Sequence, residues 1–391
     1  KIILQWASLS SALRDSNWVS GLVLVAGAYL VWYLIVGPYT EVPADLYRRM
    51  EYIKYHYELI DNDSFGPPLS LWQLATQQGG FWYVLVAFAS HLTKTPLINT
   101  IYPTMLVNGL IFMLALYMFS NVLFRPLGLA VRQIRIASVL TCFFVALQMG
   151  VTTFSFVRYY SMAPGILNMV VYFAAMVCVL SLLDQRNNLV QPQPAMNWEL
   201  SIILLVLCFG ASLVIHNQEA LFILVMVFAL FVYLFYIWIV AAAGSGLKGH
   251  FVGIVLIVSA AVALLLFMTA HFSQSPALQS PNNKVVPLPL SLPNYGSLYV
   301  LNPLYQFAEV VTIWGLIVSV LFVAWLRFFK QQPLLVAGML VPFLTVFNPV
   351  FVDVFLRIKD DHSLWRLCFL IPFYPVLTGQ SVFSPTRSPA T

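Results

Sequence analysis

Apolar residues run along this chain in long, nearly charge-free stretches rather than in short alternation. A run of about 20 such residues matches the hydrocarbon thickness of a bilayer. Ten runs of this kind can be marked, at 18–36, 99–121, 136–151, 164–183, 201–216, 219–241, 251–270, 305–326, 333–348 and 365–379. The first, near Trp18–Val36, is too long for a signal-peptide core and has no small-residue cleavage site, so it reads as a retained anchor. One further apolar piece, Phe81–Leu92, is too short to cross and reads as a helix lying at the interface. Continuous runs exclude a membrane β-barrel, whose strands alternate. The expected fold is therefore an all-α polytopic membrane protein of about ten transmembrane helices, a single transmembrane domain over residues 1–391.

A different pattern follows the first run. Leu46, Met50, Ile53, Tyr57 and Ile60 recur at helical spacing and make one apolar stripe, with Arg48, Arg49, Glu51, Lys54 and Glu58 off it. Pro43 suits a helix start, and Asp45 then falls in the first turn, where the helix dipole favours a carboxylate. The stripe predicts an amphipathic helix on the outer membrane surface.

Composition agrees with the span pattern. The 391 residues are 61% hydrophobic and only 8% charged, with a mean hydropathy of +0.86, whereas soluble chains are about 25% charged. Nine of the 33 charged residues, 19 basic and 14 acidic, fall between Glu41 and Asp63. The formal charge of +5 reports on loop topology and gives no reason to expect nucleic acid. Cys142, Cys178, Cys208 and Cys368 all lie in apolar runs without metal-motif spacing and read as small buried hydrophobes.

The basic residues set the orientation. With the N-terminus in the cytoplasm, the short connections at Arg125–Arg135 and Arg327–Lys330 lie inside, as the positive-inside rule requires. Counting Phe81–Leu92 as a span would put both outside. Only Asp15, Asp184 and Glu199 among the acids are then cytoplasmic, and the other eleven face outward. The chemistry is expected on the extracytoplasmic face, where three loops are substantial: 37–98, 271–304 and 349–364. The Pro-, Ser- and Asn-rich middle one reads as a loop and not as a domain.

The order of an anchor, an acidic first loop with surface helices, the segment FGPPLSLWQLA, and a second span ending in cytoplasmic basic residues resembles the GT-C superfamily of integral-membrane glycosyltransferases. The resemblance is one of layout and covers roughly the first 180 residues. It implies transfer of a sugar from a polyprenyl-phosphate-linked donor to a glycan, glycolipid or protein acceptor, with inversion. One departure stands out: many members carry adjacent acids in this loop, whereas Asp45 stands alone, with Glu41 four residues before it and Glu51 six after. The resemblance implies Asp45 as general base, with Glu41 and Glu51 near the sugar or acceptor, and Arg366 beside Trp365 as a ligand of the donor phosphate.

Three constellations add candidates from the residues themselves. In VRYYSMAPG, Arg158 suits a lipid phosphate and Tyr159 a sugar face, or the three aromatic and basic residues form an interfacial belt. In IHNQEALF, His216 and Glu219 lie three apart where one span turns into the next, able to orient a sugar hydroxyl, act as an acid–base pair or contribute to a divalent-cation site. Asn294, Tyr295, Tyr305 and Glu309 could line a sugar pocket. No phosphate-cradling glycine loop or zinc motif occurs. Two other functions fit the chain: a flippase or other transporter of lipid-linked saccharides, and a noncatalytic subunit of an envelope-assembly complex. Compactness points to the bacterial inner membrane, with the active site facing the periplasm.

Overall fold

The computed structural model describes residues 16–37, 50–58, 80–148, 163–187, 198–243, 249–253, 285–292, 296–303, 326–358, 364–370 and 372–382, with a few single residues between them. These are mostly helical, as expected of a helical membrane protein. Five described helices are long and apolar enough to cross a bilayer, and a bent pair makes a sixth if it is counted as one span. The expected spans 251–270 and 305–326 fall almost entirely outside the described residues. Residues 1–223 with 378–391 form one compact unit, and 224–377 a second.

The first unit begins with α1 (Ser16–Val36), which ends where Gly37 takes a positive φ of 77° and donates back to the Tyr33 carbonyl at 2.8 Å. The short helix α2 occupies residues 50–58. Next come α3 (Gly80–Thr93), α4 (Leu97–Phe124), α5 (Val131–Gln148), α6 (Pro164–Asn187) and α7 (Trp198–Ile215). At 14 residues α3 is about 21 Å long, short of the ~30 Å hydrocarbon core. It keeps Leu85, Phe88 and Leu92 exposed along one face while Trp82, Tyr83, Val86 and Ala87 are buried.

α4 is the hub of this unit, touching α1, α3, α5 and α6. Its contact with α1 is reciprocal. The Tyr117 ring of α4 lies over Gly21 of α1, and the Tyr29 ring of α1 lies over Gly109 of α4, so close that a Cβ at either glycine would fall on the tyrosine hydroxyl. Each helix thus carries a glycine and, eight residues on, a tyrosine, and antiparallel pairing matches them twice. Small residues let membrane helices approach closely where apolar burial alone gives no preference for protein over lipid.

α7 shows the same logic from the polar side. Ser201 and Ser212 are its buried residues, while Ile202, Ile203, Val206 and Leu207 are exposed. Small polar groups face α6, and branched apolar ones face outward, inverting the pattern of a helix in water.

α8 (Asn217–Ala242) begins in the first unit and continues into the second. The second unit also holds β1 (Val285–Leu292), β2 (Gly296–Leu301), α9 (Leu326–Phe329), α10 (Pro333–Leu344) and α11 (Pro349–Ile358), then a 3-10 turn at Trp365–Leu370 and the start of α12 (Phe373–Val382).

Three features differ from the sequence expectation. β1 and β2 form an antiparallel hairpin in the segment expected to be an irregular loop, with Val285 opposite Leu301 and Leu292 opposite Gly296. The register is irregular between Pro287 and Ser291, as prolines in a strand demand. The expected span 333–348 is a shorter helix that breaks and turns by 75° into α11, inside the segment expected to be the third loop. Asn348 starts α11, its Oδ1 accepting from the Val350 and Phe351 amides at 3.0 and 3.4 Å, with Pro349 following. Lastly, the expected span 365–379 is a 3-10 turn followed, after Pro372, by α12. Proline lacks the N–H that would carry a helix through this point.

The Tyr–Gly pairing makes a specific prediction. Gly21→Ala and Gly109→Ala should each lower thermal stability, by about 1–3 kcal/mol as overpacking does. Gly27→Ala on the same helix as Gly21, where nothing lies within 4 Å, should be neutral. Equal melting temperatures for all three purified variants would refute the register.

Candidate functional site

The first-loop helices are fixed by aromatic packing. Tyr52 of α2 stacks on Tyr83 of α3 with centroids 5.3 Å apart, and Tyr57 meets His91 edge-on at 5.8 Å. Ile53 is the anchor, 1% exposed, and His56 is buried beside it. On the opposite face Glu51, Lys54, Tyr55 and Glu58 are exposed, and Tyr52 stays exposed at the edge of its stack. Lys54 and Glu58 approach to 3.6 Å, but both are more than half exposed, so the pair adds little to stability. Glu51 thus faces outward from the loop, as its place off the apolar stripe predicts.

Glu41 and Asp45 lie outside the described residues, as do Arg158, Tyr159, Asn294, Tyr295, Tyr305 and Glu309. The backbone of Glu219 belongs to the first turn of α8, and its side chain is likewise outside the description.

His216 is half-buried at the one-residue break between α7 and α8. The break is held by Asn168 of α6, which is fully buried. Its Nδ2 donates to the Ser212 carbonyl at 3.1 Å and to the His216 carbonyl at 2.6 Å. The amide thus meets the His216 carbonyl at the break and gives a second donor to the Ser212 carbonyl, which also accepts from the His216 amide at 3.0 Å. A sequence signal existed for Asn168: a carboxamide in an otherwise apolar run is costly in lipid unless it has backbone to bind. A second buried carboxamide, Asn108 of α4, donates to the Ser161 carbonyl at 3.0 Å.

α3 is the common neighbour of these parts, since it holds α2 through the aromatic pairs and also touches α7. Glu51 and His216 belong to the first unit and Arg366 to the second. Arg366 is half-buried on the 3-10 turn, which packs on α10. Gly338 of α10 permits that packing, because a Cβ there would lie 2.6 Å from Pro372.

No protein-family model matches this chain, and no curated protein or solved structure matches it. The functional reading therefore rests on the chain's own residues and layout.

The second unit brings together a pair that the sequence reading did not select. Asp353 of α11 is 2% exposed and accepts from the Arg357 Nε at 2.9 Å through Oδ2. Its other oxygen is buried and has no hydrogen-bond partner. Among the described residues, no group of three or more His, Cys, Asp or Glu side chains is placed to hold a metal ion.

Burial and capping are each open to measurement. Burial holds the His56 pKa below its ordinary 6.5, so the folded protein keeps this ring neutral. The unfolded chain then binds the extra proton, and stability that is present above pH 6.5 is lost as pH falls below it, at up to about 1.4 kcal/mol per pH unit. Hydrogen exchange at residues 50–58 should quicken between pH 7 and pH 5, and His56→Gln should abolish that acid response. Asn168→Leu should free the α7 terminus at a cost of about 1 kcal/mol. Faster exchange confined to residues near Ser212–His216 is the expected readout, and unchanged exchange there would dismiss the cap.

Proposed function

We propose that this protein is an extracytoplasmic glycosyltransferase of the GT-C kind, moving a sugar from a polyprenyl-phosphate-linked donor to an acceptor. The observation that carries the reading is the first loop. Between the first membrane helix and the next, the chain places a short amphipathic helix docked on a second helix too short to cross, with Glu51 and Tyr55 presented outward. The acids of the chain are concentrated on this same side of the expected topology of about ten spans.

The physical logic is that nucleotide sugars are not normally available outside the cytoplasmic membrane. A donor carried by a lipid reaches an outer-leaflet site from the side, and polyprenyl phosphate is already a good leaving group. The protein then supplies a base for the acceptor hydroxyl and cations for the charge that develops on phosphate. In this scheme Asp45 is the base, Arg366 and Arg158 hold phosphate, and His216, Glu219, Tyr159, Glu41 and Glu51 serve sugar or acceptor. One displacement inverts the anomeric carbon. The expected setting is the bacterial inner membrane, the site facing the periplasm. A divalent cation enters the scheme only at His216 and Glu219, two groups where hard cations take several oxygens.

One observation favours the transporter reading. The 75° break between α10 and α11 is a discontinuous helix of the kind that lines substrate sites in transporters. The glycosyltransferase reading ranks first because the expected spans carry so few ionisable groups in their interiors.

The test is mass spectrometry of lipids that co-purify with the solubilised protein. A polyprenyl phosphate or its glycosylated form should be enriched on the wild type and reduced about tenfold or more on Arg366→Ala, the loss expected when a charge-assisted contact is removed. Asp45→Asn should keep the lipid and lose transfer. Bulk phospholipid alone on both the wild type and the arginine variant would count against a lipid-phosphate donor.

A further inference from the structure

The interface between α6 and α7 carries two thiols that the glycosyltransferase scheme does not use. Polar contacts at both ends fix its antiparallel register. At one end Asn168 donates to the Ser212 and His216 carbonyls, and at the other Ser201 donates to the Ser181 hydroxyl at 3.4 Å. Cys178 lies between Asn168 and Ser181 on α6, and Cys208 lies between Ser201 and Ser212 on α7. The register therefore sets the two cysteines opposite each other, and their thiols are hydrogen-bonded to one another. The other two cysteines are placed differently. Cys142 Sγ donates to the Met113 carbonyl at 3.6 Å, and Cys368 belongs to the second unit.

The two sulfurs differ in access. Cys178 is 5% exposed, whereas Cys208 is half-buried. Beside Cys208 on α7, Val206 and Leu207 are exposed. Cys208 thus stands at the margin between the face against α6 and the face turned to lipid. A reagent dissolved in hydrocarbon reaches it from that side. A thiol is a weak hydrogen-bonding group, and the serines and Asn168 already hold this interface with better ones. What a facing pair of sulfurs adds is two-electron chemistry: oxidation of one thiol to a sulfenic acid and its capture by the other.

We propose that Cys178 and Cys208 form a redox modification site, which reacts with organic hydroperoxides dissolved in the bilayer and closes to a disulfide between α6 and α7. The Cys208 sulfur takes the terminal peroxide oxygen. An S–O bond forms, the O–O bond breaks, and the thiol proton goes to the departing oxygen, leaving an alcohol. The Cys178 sulfur then attacks the sulfenic sulfur. The S–S bond forms, the S–O bond breaks, and the Cys178 proton leaves with the hydroxyl as water. One hydroperoxide is reduced by two electrons as two thiols are oxidised. The inference is independent of the glycosyltransferase reading. It concerns the helix pair that carries the Asn168 cap and His216, and it staples that pair when the surrounding lipid is peroxidised.

The test uses the full chain in nanodiscs, treated with cumene hydroperoxide, which partitions into lipid, or with hydrogen peroxide, which partitions into water. Peptide mass spectrometry without reduction then reads the cysteines. The lipid-soluble probe should yield a peptide pair joined through Cys178 and Cys208, two hydrogens lighter than its parts, while Cys142 and Cys368 stay free. A dithiol should restore both thiols. Cys178→Ala and Cys208→Ala should each lose the joined peptide. The decisive reading is on the wild type, so it does not depend on how the variants fold. Four free cysteines after treatment, or a sulfinic acid at either position without the joined peptide, overturns the pair. Joining by hydrogen peroxide as fast as by cumene hydroperoxide overturns the route from lipid.

Discussion

Inside a bilayer there is no water to accept or donate a hydrogen bond, so every backbone amide and carbonyl must be met by the protein itself. Long helices do this without help. Where a helix stops, its open groups must be met by backbone or by side chains, and several side-chain repairs are visible. Asn168 takes two carbonyls at the end of α7. Asn348 takes two amides at the start of α11, and Thr345 Oγ1 returns to the Val341 carbonyl at 2.6 Å as α10 ends. Asn168, Asn348 and Thr345 thus serve helix ends, while other buried polar groups, such as Ser138 and Thr141, bond back within their own helix.

The same constraint explains what could be read from sequence. Long apolar runs became α1, α4, α6, α7 and α8 because nothing but helix suits them. The interfacial helix expected at Phe81–Leu92 is Gly80–Thr93, one residue longer at each end. The stripe through Met50, Ile53 and Tyr57 correctly marked the inner face of α2, but it omitted His56, which is buried beside Ile53. An apolar count cannot register a ring that is buried in its neutral form. The breaks were harder. Asn348-Pro349 is a legible helix start, yet it stands inside a hydrophobic stretch where hydropathy alone continues the span. The strand-like alternation of the hairpin, at Val286, Leu288, Leu290 and Leu292, was hidden by two prolines that normally argue against a strand.

The site is legible to a lesser degree. Glu51 is exposed as its helical position required, and His216 is at a turn between spans as its spacing required. Asp353 was visible only as one of several outward acids, since its burial depends on β2 and on the 75° turn, neither of which composition encodes. Its pairing with Arg357 is a local i,i+4 relation that sequence does offer, but spacing says nothing about which oxygen is left over. The surface helices and the buried carboxylate represent two kinds of polar group on a greasy chain. One keeps its charge in water, and the other keeps it by borrowing a guanidinium.

The reciprocal Tyr–Gly contact bears on how the protein is built in time. α1 enters the membrane about 60 residues before its partner α4 is synthesised, so for that interval its notch at Gly21 is filled by lipid tails. Its even hydropathy lets it wait there. When α4 arrives, two rings must enter two notches at once, and a slip of one turn fills neither. The first helix pair therefore closes as a two-point latch, and its register is checked by shape before any later helix is present to correct it.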